Sequence, residues 1–383
     1  MPSLELFAKQ QIEKAKSLNR LRELKVTGRE DSVYVQRNGK KLISFSCNDY
    51  LGLASHPAVK EAAHNAIEKY GAGGGASRLV TGNSALYEEL ETLLADIKGT
   101  EGALVFGSGY LANIGVIPAL VSKGDLIIAD KLVHASIIDG CQLSGAKLVR
   151  FLHNDISSCE NLLKKYRNDY KNCLIVTDNI FSMDGDIAPV DELFALAEKY
   201  DSWLMTDDAH GLGTVINSHT AKPHIQMGTL SKAVGSYGAY ICASKTVIDY
   251  LVNSSRSLIY STSLPPASLA ASIAALKIIV HDKELCAKAL ENALFFTEIL
   301  GIKKALSTIV PLIIGDEEAT MLAAEELEAH GFLVTAIRPP TVPNGTSRLR
   351  FAFSALHNRK DIEKLAEVIK RFRFSFLLGV RGE

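Results

Sequence analysis

Lys232 stands in GTLSKAVG (228–235), with two small hydroxyl residues, Thr229 and Ser231, just ahead of it. A lysine this close to an apolar stretch costs on the order of several kcal/mol if it is buried charged and unpaired, so its amine either reaches solvent or is put to use. About 25 positions earlier, SWLMTDDAHG (202–211) runs an apolar segment straight into Asp207, Asp208 and His210. Alone, Asp207 could cap a turn and His210 could pack as a core histidine. Together with the lysine they make a different set. A carboxylate can keep a pyridine nitrogen protonated, the ring then draws electrons from a substrate carbon, and a lysine amine can hold an aldehyde. That combination is the chemistry of pyridoxal 5'-phosphate (PLP).

Such a coenzyme also needs a cradle for its phosphate. VFGSGYLANIG (105–115) offers an apolar stretch, a Gly-x-Gly turn and a helical pattern, so that Ser108, Gly109 and Tyr110 fall where a helix N-terminus presents free N–H groups to an anion. A lone Gly-x-Gly serves equally as a tight structural turn. Thr229 adds a hydroxyl beside the lysine, and His134, in ADKLVHAS (129–136), either stacks on the ring or packs in the interior.

The elements that must place these residues read as an α/β fold. Short apolar runs at 102–106, 125–130, 147–151, 173–178, 202–207, 225–229 and 239–243 alternate with helical patterns, which predicts a seven-stranded, mostly parallel sheet covered on both faces. Open sheets of this kind bind ligands at the strands' carboxyl ends, where the chemistry-bearing residues lie. The expected organisation is an N-terminal arm of helix and hairpin (1–45), a large coenzyme-binding domain (46–258) and a smaller α+β C-terminal domain (259–383). Asn38-Gly39 predicts the arm's hairpin turn, and the arm is expected to pack on the large domain or on a partner subunit. FLVTAIRP (332–339) and SRLRFAFS (347–354) are expected as strands of the smaller domain.

Composition narrows the classes. With 42 basic and 43 acidic residues and a net charge of -1, the chain has no general attraction to nucleic acid or membrane surfaces. No apolar run approaches the roughly 18 residues of a membrane span, and the acidic, amphipathic start lacks a signal-peptide core. Six scattered cysteines without CxxC or Cys/His spacing predict reduced thiols, a cytoplasmic protein and no metal site. Two rival readings stay open. GAGGGAS (71–77) could be a nucleotide loop of a dehydrogenase or NTPase, although it follows a helical pattern and lacks both GxGxxG and GK[ST]. The chain could also bind the coenzyme as a regulatory scaffold without turnover.

Taken in order, SCNDYLGL (46–53), GASRLVTG (75–82), HASIIDG (134–140), IFSMDGD (180–186), DDAHG (207–211), GTLSKAVG, IYSTSLPP (259–266) and TVPNGTSRLR (341–350) resemble the α-oxoamine synthases. These are fold-type I PLP enzymes that condense an amino acid with an acyl thioester and release carbon dioxide. The resemblance spans essentially the whole chain. It implies that Lys232 carries the coenzyme and acts as general base, Asp207 pairs with the pyridine nitrogen, His134 stacks on the ring, and Ser182 and His210 flank the phenolic oxygen. It further implies that Ser108, Gly109, Tyr110 and Thr229 serve phosphate and ring, that Thr262 reaches the phosphate of a neighbouring subunit in a homodimer with shared sites, and that Arg350 with Asn48 holds the substrate carboxylate. IYSTSLPP and PPTVPNGTSRLR (339–350) resemble the members of the biotin pathway that join L-alanine to a pimeloyl thioester of coenzyme A or acyl carrier protein more than those that use glycine. In such a member Thr341 and an arm arginine, Arg20 with Arg22 close behind, meet the acyl substrate. The connection from His210 to Gly228 is shorter than the family pattern.

Overall fold

The computed structural model describes residues 2–31, 33–215 and 219–371, so residues 216–218 of the short connection lie outside the described residues. By its internal contacts the chain divides into two compact units, residues 49–288 and residues 1–48 with 289–383.

The larger unit is built on seven strands: β1 (Gly102–Phe106), β2 (Leu126–Asp130), β3 (Lys147–Phe151), β4 (Cys173–Asp178), β5 (Trp203–Asp207), β6 (Ile225–Thr229) and β7 (Ala239–Ala243). Their order across the sheet is β1-β7-β6-β5-β4-β2-β3, and only β7 runs against its neighbours. Every expected strand forms. The apolar runs are continuous because successive residues enter opposite cores. Leu126 and Ile128 pack on one face, and Ile127 and Ala129 on the other. A sheet buried on both sides leaves its polar residues only the strand ends. Asp130, Asp178, Asp207 and Thr229 therefore close β2, β4, β5 and β6 along one edge.

Helices return the chain between strands, and their caps come from the same edge. Ser108 accepts from Leu111 N at 3.2 Å to start Gly109–Leu120, and His134 accepts from Ser136 N at 3.3 Å to start Ala135–Ser144. Helix Pro266–His281 is apolar nearly all round and packs against Pro57–Tyr70 and Ala85–Lys98 inside this unit.

In the smaller unit, Asn38 and Gly39 both take positive φ (51° and 74°) and close a hairpin between Tyr34–Arg37 and Lys40–Ser44. The arm's hairpin is extended, in parallel, by Phe332–Leu333 of the C-terminal part. FLVTAIRP is two strands rather than one. Thr335–Ile337 pairs with Ser347–Ala352 in a second, three-stranded sheet completed by Ile309–Gly315. The chain changes sheets at Val334, whose side chain is buried in the core of Phe45, Phe296, Phe351 and Phe353. No helix among the described residues is long and apolar enough to cross a membrane.

Candidate active site

Every residue expected to hold the coenzyme, except Thr262, lines one cleft of about 240 Å³ in the larger unit. Thr262 is exposed and lies outside that lining, bridged to Ser77 of the GASRLVTG segment.

The lysine comes first. The loop after β6 doubles back, with Leu230 N–H donating to Gly238 O at 2.9 Å and Gly235 N–H to Lys232 O at 2.9 Å, and so turns Lys232 into the cleft. Its Nζ lies 2.8 Å from His210 Nε2, and His210 Nδ1 lies 2.7 Å from the Tyr50 hydroxyl. The two ring nitrogens of His210 thus link the Lys232 amine to the Tyr50 hydroxyl. His210 and Tyr50 are both buried.

Asp207 closes β5. One of its oxygens accepts from Ala209 N at 3.0 Å and the other from Asn113 Nδ2 at 3.0 Å; Asn113 also donates to Ser136 Oγ at 2.9 Å, which in turn sits 2.7 Å from His134 Nδ1. Pairing in register across the sheet puts Asp178 beside Asp207. Burial, reinforced by the charge of Asp207, pushes the Asp178 carboxyl well above the usual carboxylate range and so favours its neutral form. Its Oδ1 accepts from His134 N at 3.2 Å. The His134 imidazole is lowered by burial, against the pull of Asp207, and so is kept neutral.

The next carboxylate turns away. Asp208 accepts from Asn179 Nδ2 at 2.6 Å and pairs with Lys98, whose side chain is 13% exposed, at 2.9 Å. Burial opposes the charge on Lys98, but Asp208 outweighs it and raises the lysine above its ordinary value.

Hydroxyls line the same cleft. Thr229 Oγ1 donates to Gly238 O at 3.0 Å and lies 2.8 Å from Ser231 Oγ. Ser108 and the N-terminus of Gly109–Leu120 bring backbone donors to the same cleft. Tyr110 is half exposed there, and its hydroxyl donates to Asp139 Oδ2 at 2.5 Å.

This donor set fits PLP. A carboxylate fixed by two donors suits a pyridinium, hydroxyls and a helix N-terminus suit a phosphate, and a lysine amine lines the same cleft. A side chain on Gly109 would put its Cβ 3.1 Å from Met227 Cε, so the methionine would have to give way by a few tenths of an ångström.

The remaining expected residues belong to the smaller unit. Arg350 is buried on strand Ser347–Ala352, and both its terminal nitrogens donate to Asn48 Oδ1 at 3.2 Å. Arg20 pairs with Glu317 at 2.9 Å and donates to Asn344 Oδ1 at 2.9 Å, while Arg22 donates to Thr341 Oγ1 at 3.0 Å. Arg20, Arg22, Arg338 and Thr341 line a second cleft of about 980 Å³.

Asn113, Ser136, Asp178 and Tyr50 were not singled out from sequence. Asp178 could have been, because CLIVTD ends as SWLMTD does. Asn113 is a lone amide in an apolar helix, a weak signal, and Tyr50 lies inside SCNDYLGL.

Comparison with known proteins decides the family. The aminotransferase class I and II profile matches residues 40–369. The chain belongs to the aminotransferase class I and II family. Among family proteins, it is 52% identical to a putative 8-amino-7-oxononanoate synthase of Parvibaculum lavamentivorans over 379 residues, covering 97% of each chain. It is 52% identical to the 8-amino-7-oxononanoate synthase of Beijerinckia indica over 377 residues, 96% of this chain and 98% of that one. Among solved structures it is similar to S. paucimobilis serine palmitoyltransferase with a bound PLP–myriocin aldimine (TM-score 0.90, 28% identity, 98% and 99% coverage). It is also similar to the Francisella tularensis 8-amino-7-oxononanoate synthase (TM-score 0.75, 30% identity, 88% and 99% coverage). The resemblance to the α-oxoamine synthases and the fold-type I architecture stand.

Proposed function

We propose that this family member is a PLP-dependent 8-amino-7-oxononanoate synthase, which condenses L-alanine with a pimeloyl thioester and releases carbon dioxide in biotin biosynthesis. The observation that carries the chemistry is the contact of Lys232 Nζ with His210 Nε2 at 2.8 Å, in the same cleft as Asp207. The choice among α-oxoamine synthases rests on the full-length relatives of that name at 52% identity, against 28% for the serine-using neighbour.

Bound there, PLP supplies an electron sink for the substrate's α-carbon. The protein does the rest. Asp207, held by Asn113 and Ala209, would hold the pyridine nitrogen and favour its protonated form, and His134 would be the residue beside the ring. Lys232 Nζ takes the proton from Cα and later returns one, while His210 orients that amine and is itself oriented by Tyr50. Ser182 and His210 serve the phenolic oxygen. Ser108, Gly109, Tyr110 and Thr229 hold phosphate and ring. Arg350, its fork fixed on Asn48, grips the amino acid's carboxylate in a planar, two-bonded fashion. Arg20, Arg22 and Thr341 meet the pimeloyl chain, presented on coenzyme A or acyl carrier protein.

The exposed Thr262 suits the reading of a homodimer in which it serves the neighbouring site. A cytoplasmic location accords with the cysteines, none of which forms a disulfide; burial pushes Cys141, Cys159 and Cys242 up to about 12.

The test is a coenzyme absorbance titration with alanine, glycine and serine, followed by product mass with pimeloyl-coenzyme A. Alanine should shift the spectrum and give 8-amino-7-oxononanoate. A response to glycine alone would support the 2-amino-3-ketobutyrate ligase reading, and a response to serine alone a palmitoyltransferase-like one.

A further inference from the structure

The turn that presents Ser182 is held from outside the cleft. After β4, residues 180–187 fold back on themselves: Ile180 and Ile187 form an isolated bridge, Phe181 N–H donates to Asp186 O at 3.1 Å, and Gly185 N–H donates to Phe181 O at 2.8 Å. Gly185 takes φ of 71°, a left-handed turn position that glycine accepts without strain. Ser182 can be no better placed than the base of this turn, and the base carries Asp186.

Asp186 Oδ2 lies 2.7 Å from His153 Nε2, while His153 Nδ1 lies 3.1 and 3.3 Å from the two oxygens of Asp130. Asp130, fully buried at the end of β2, is fixed in turn by the N–H groups of Leu132 at 2.8 Å and Asn154 at 2.9 Å. Asn154 Nδ2 reaches Asp186 Oδ2 and Ile187 O, both at 3.2 Å. The His153 ring stands edge-on to Phe181, with centroids 4.4 Å apart, directly before Ser182 in the chain. Both ring nitrogens can donate only from an imidazolium. Burial works against that charge, but the hydrogen bonds of Asp130 and Asp186 outweigh it and hold His153 at about 10.

We infer that His153 is a positioning residue for Ser182: bridging Asp130 at a strand end to Asp186 at the base of the turn, it fixes where the serine meets the coenzyme's phenolic oxygen. His153 is not among the residues that line the cleft. The role rests on the functional reading above.

A double-mutant cycle tests it on the holoenzyme. The pH titration of the bound coenzyme's visible absorbance and the coenzyme's Kd are measured for wild type, His153→Gln, Ser182→Ala and the pair. Positioning predicts that His153→Gln shifts the midpoint in the same direction as Ser182→Ala and weakens coenzyme binding about 3- to 10-fold, as loss of one hydrogen bond does. In the Ser182→Ala background the histidine change should then add nothing. A wild-type midpoint in His153→Gln, or equal shifts in both backgrounds, overturns the inference. If His153→Gln does not fold, Asp186→Asn enters the same cycle with the same outcomes. Amide exchange at Phe181 and Gly185 needs no coenzyme and should quicken about 10-fold or more in either variant, with the strand interior of β4 unchanged. Unaltered exchange there overturns the bridge, whereas a wild-type protein that takes up no coenzyme overturns the functional reading instead.

Discussion

Lowering the pH from 7 to 5 should weaken the smaller unit through one buried imidazole. His357 is 2% exposed, stacks on Phe45 with centroids 4.0 Å apart, accepts from Ser354 N at 2.9 Å and lies 3.0 Å from Ser44 O. One nitrogen accepts and the other donates, so the ring is held neutral. Burial lowers it from 6.5 to about 4, against the pull of Ser44 O and Asp361. Between those values the unfolded chain binds a proton that the folded chain refuses, so stability is fully present above about 6.5 and falls as the pH drops through 4. A gap of about 2.5 units corresponds to about 3 kcal/mol, of which about 2 kcal/mol is lost between pH 6.5 and 5. His357 secures the segment leading to Asn48, so the loss falls on the proposed carboxylate site. The assay is amide exchange of Phe45 and Phe353, corrected for its intrinsic pH dependence, in wild type and His357→Gln. The wild type's advantage should shrink by about 2 kcal/mol over that interval. A constant advantage, or a His357 ring resonance that titrates near 6.5, would refute the reasoning.

Lys232→Ala should abolish both turnover and the visible band of the bound coenzyme; an unchanged spectrum removes the lysine from its assigned role. Arg350→Lys exchanges a two-bonded fork for a point charge and should raise the KM for alanine about 10- to 100-fold while leaving the coenzyme spectrum as it is; an unchanged KM places the carboxylate elsewhere. Gly228→Ala would set a Cβ 2.2 Å from the buried Tyr240 hydroxyl and should cost about 2 kcal/mol or more of stability, whereas Gly73→Ala, with open space around it, should be nearly silent. Equal melting points for the two variants would contradict the packing described.

The sheet was legible because most strands are short apolar runs, continuous where both faces are buried, and four of them, β2, β4, β5 and β6, end in a polar residue. The cleft was legible from the strand ends: Asp207 and Thr229 close strands, Lys232 follows one, and strands that share an edge bring their ends together. Contacts perpendicular to the chain left weaker marks. Asn113 reaches Asp207 from helix Gly109–Leu120, which packs on the neighbouring strands β6 and β7, and Tyr50 reaches His210 from a segment about 160 positions away. FLVTAIRP carries little signal of its division, because no glycine or proline interrupts it near Val334 and only the partners on either side reveal the change of sheet.

Consecutive aspartates at the end of β5 have separate obligations, one to the cleft and one to Lys98. A neutral side chain at 208 would strand an ammonium in the interior, and an apolar one at 98 would strand a carboxylate. Each single change therefore should be poorly tolerated, by about 3–5 kcal/mol, while Lys98→Met with Asp208→Asn should recover much of that loss. Inheritance follows the same logic: across descendants of this chain, positions 98 and 208 should drift as a couple, and Asp207 should stay put whichever partnership its neighbour keeps.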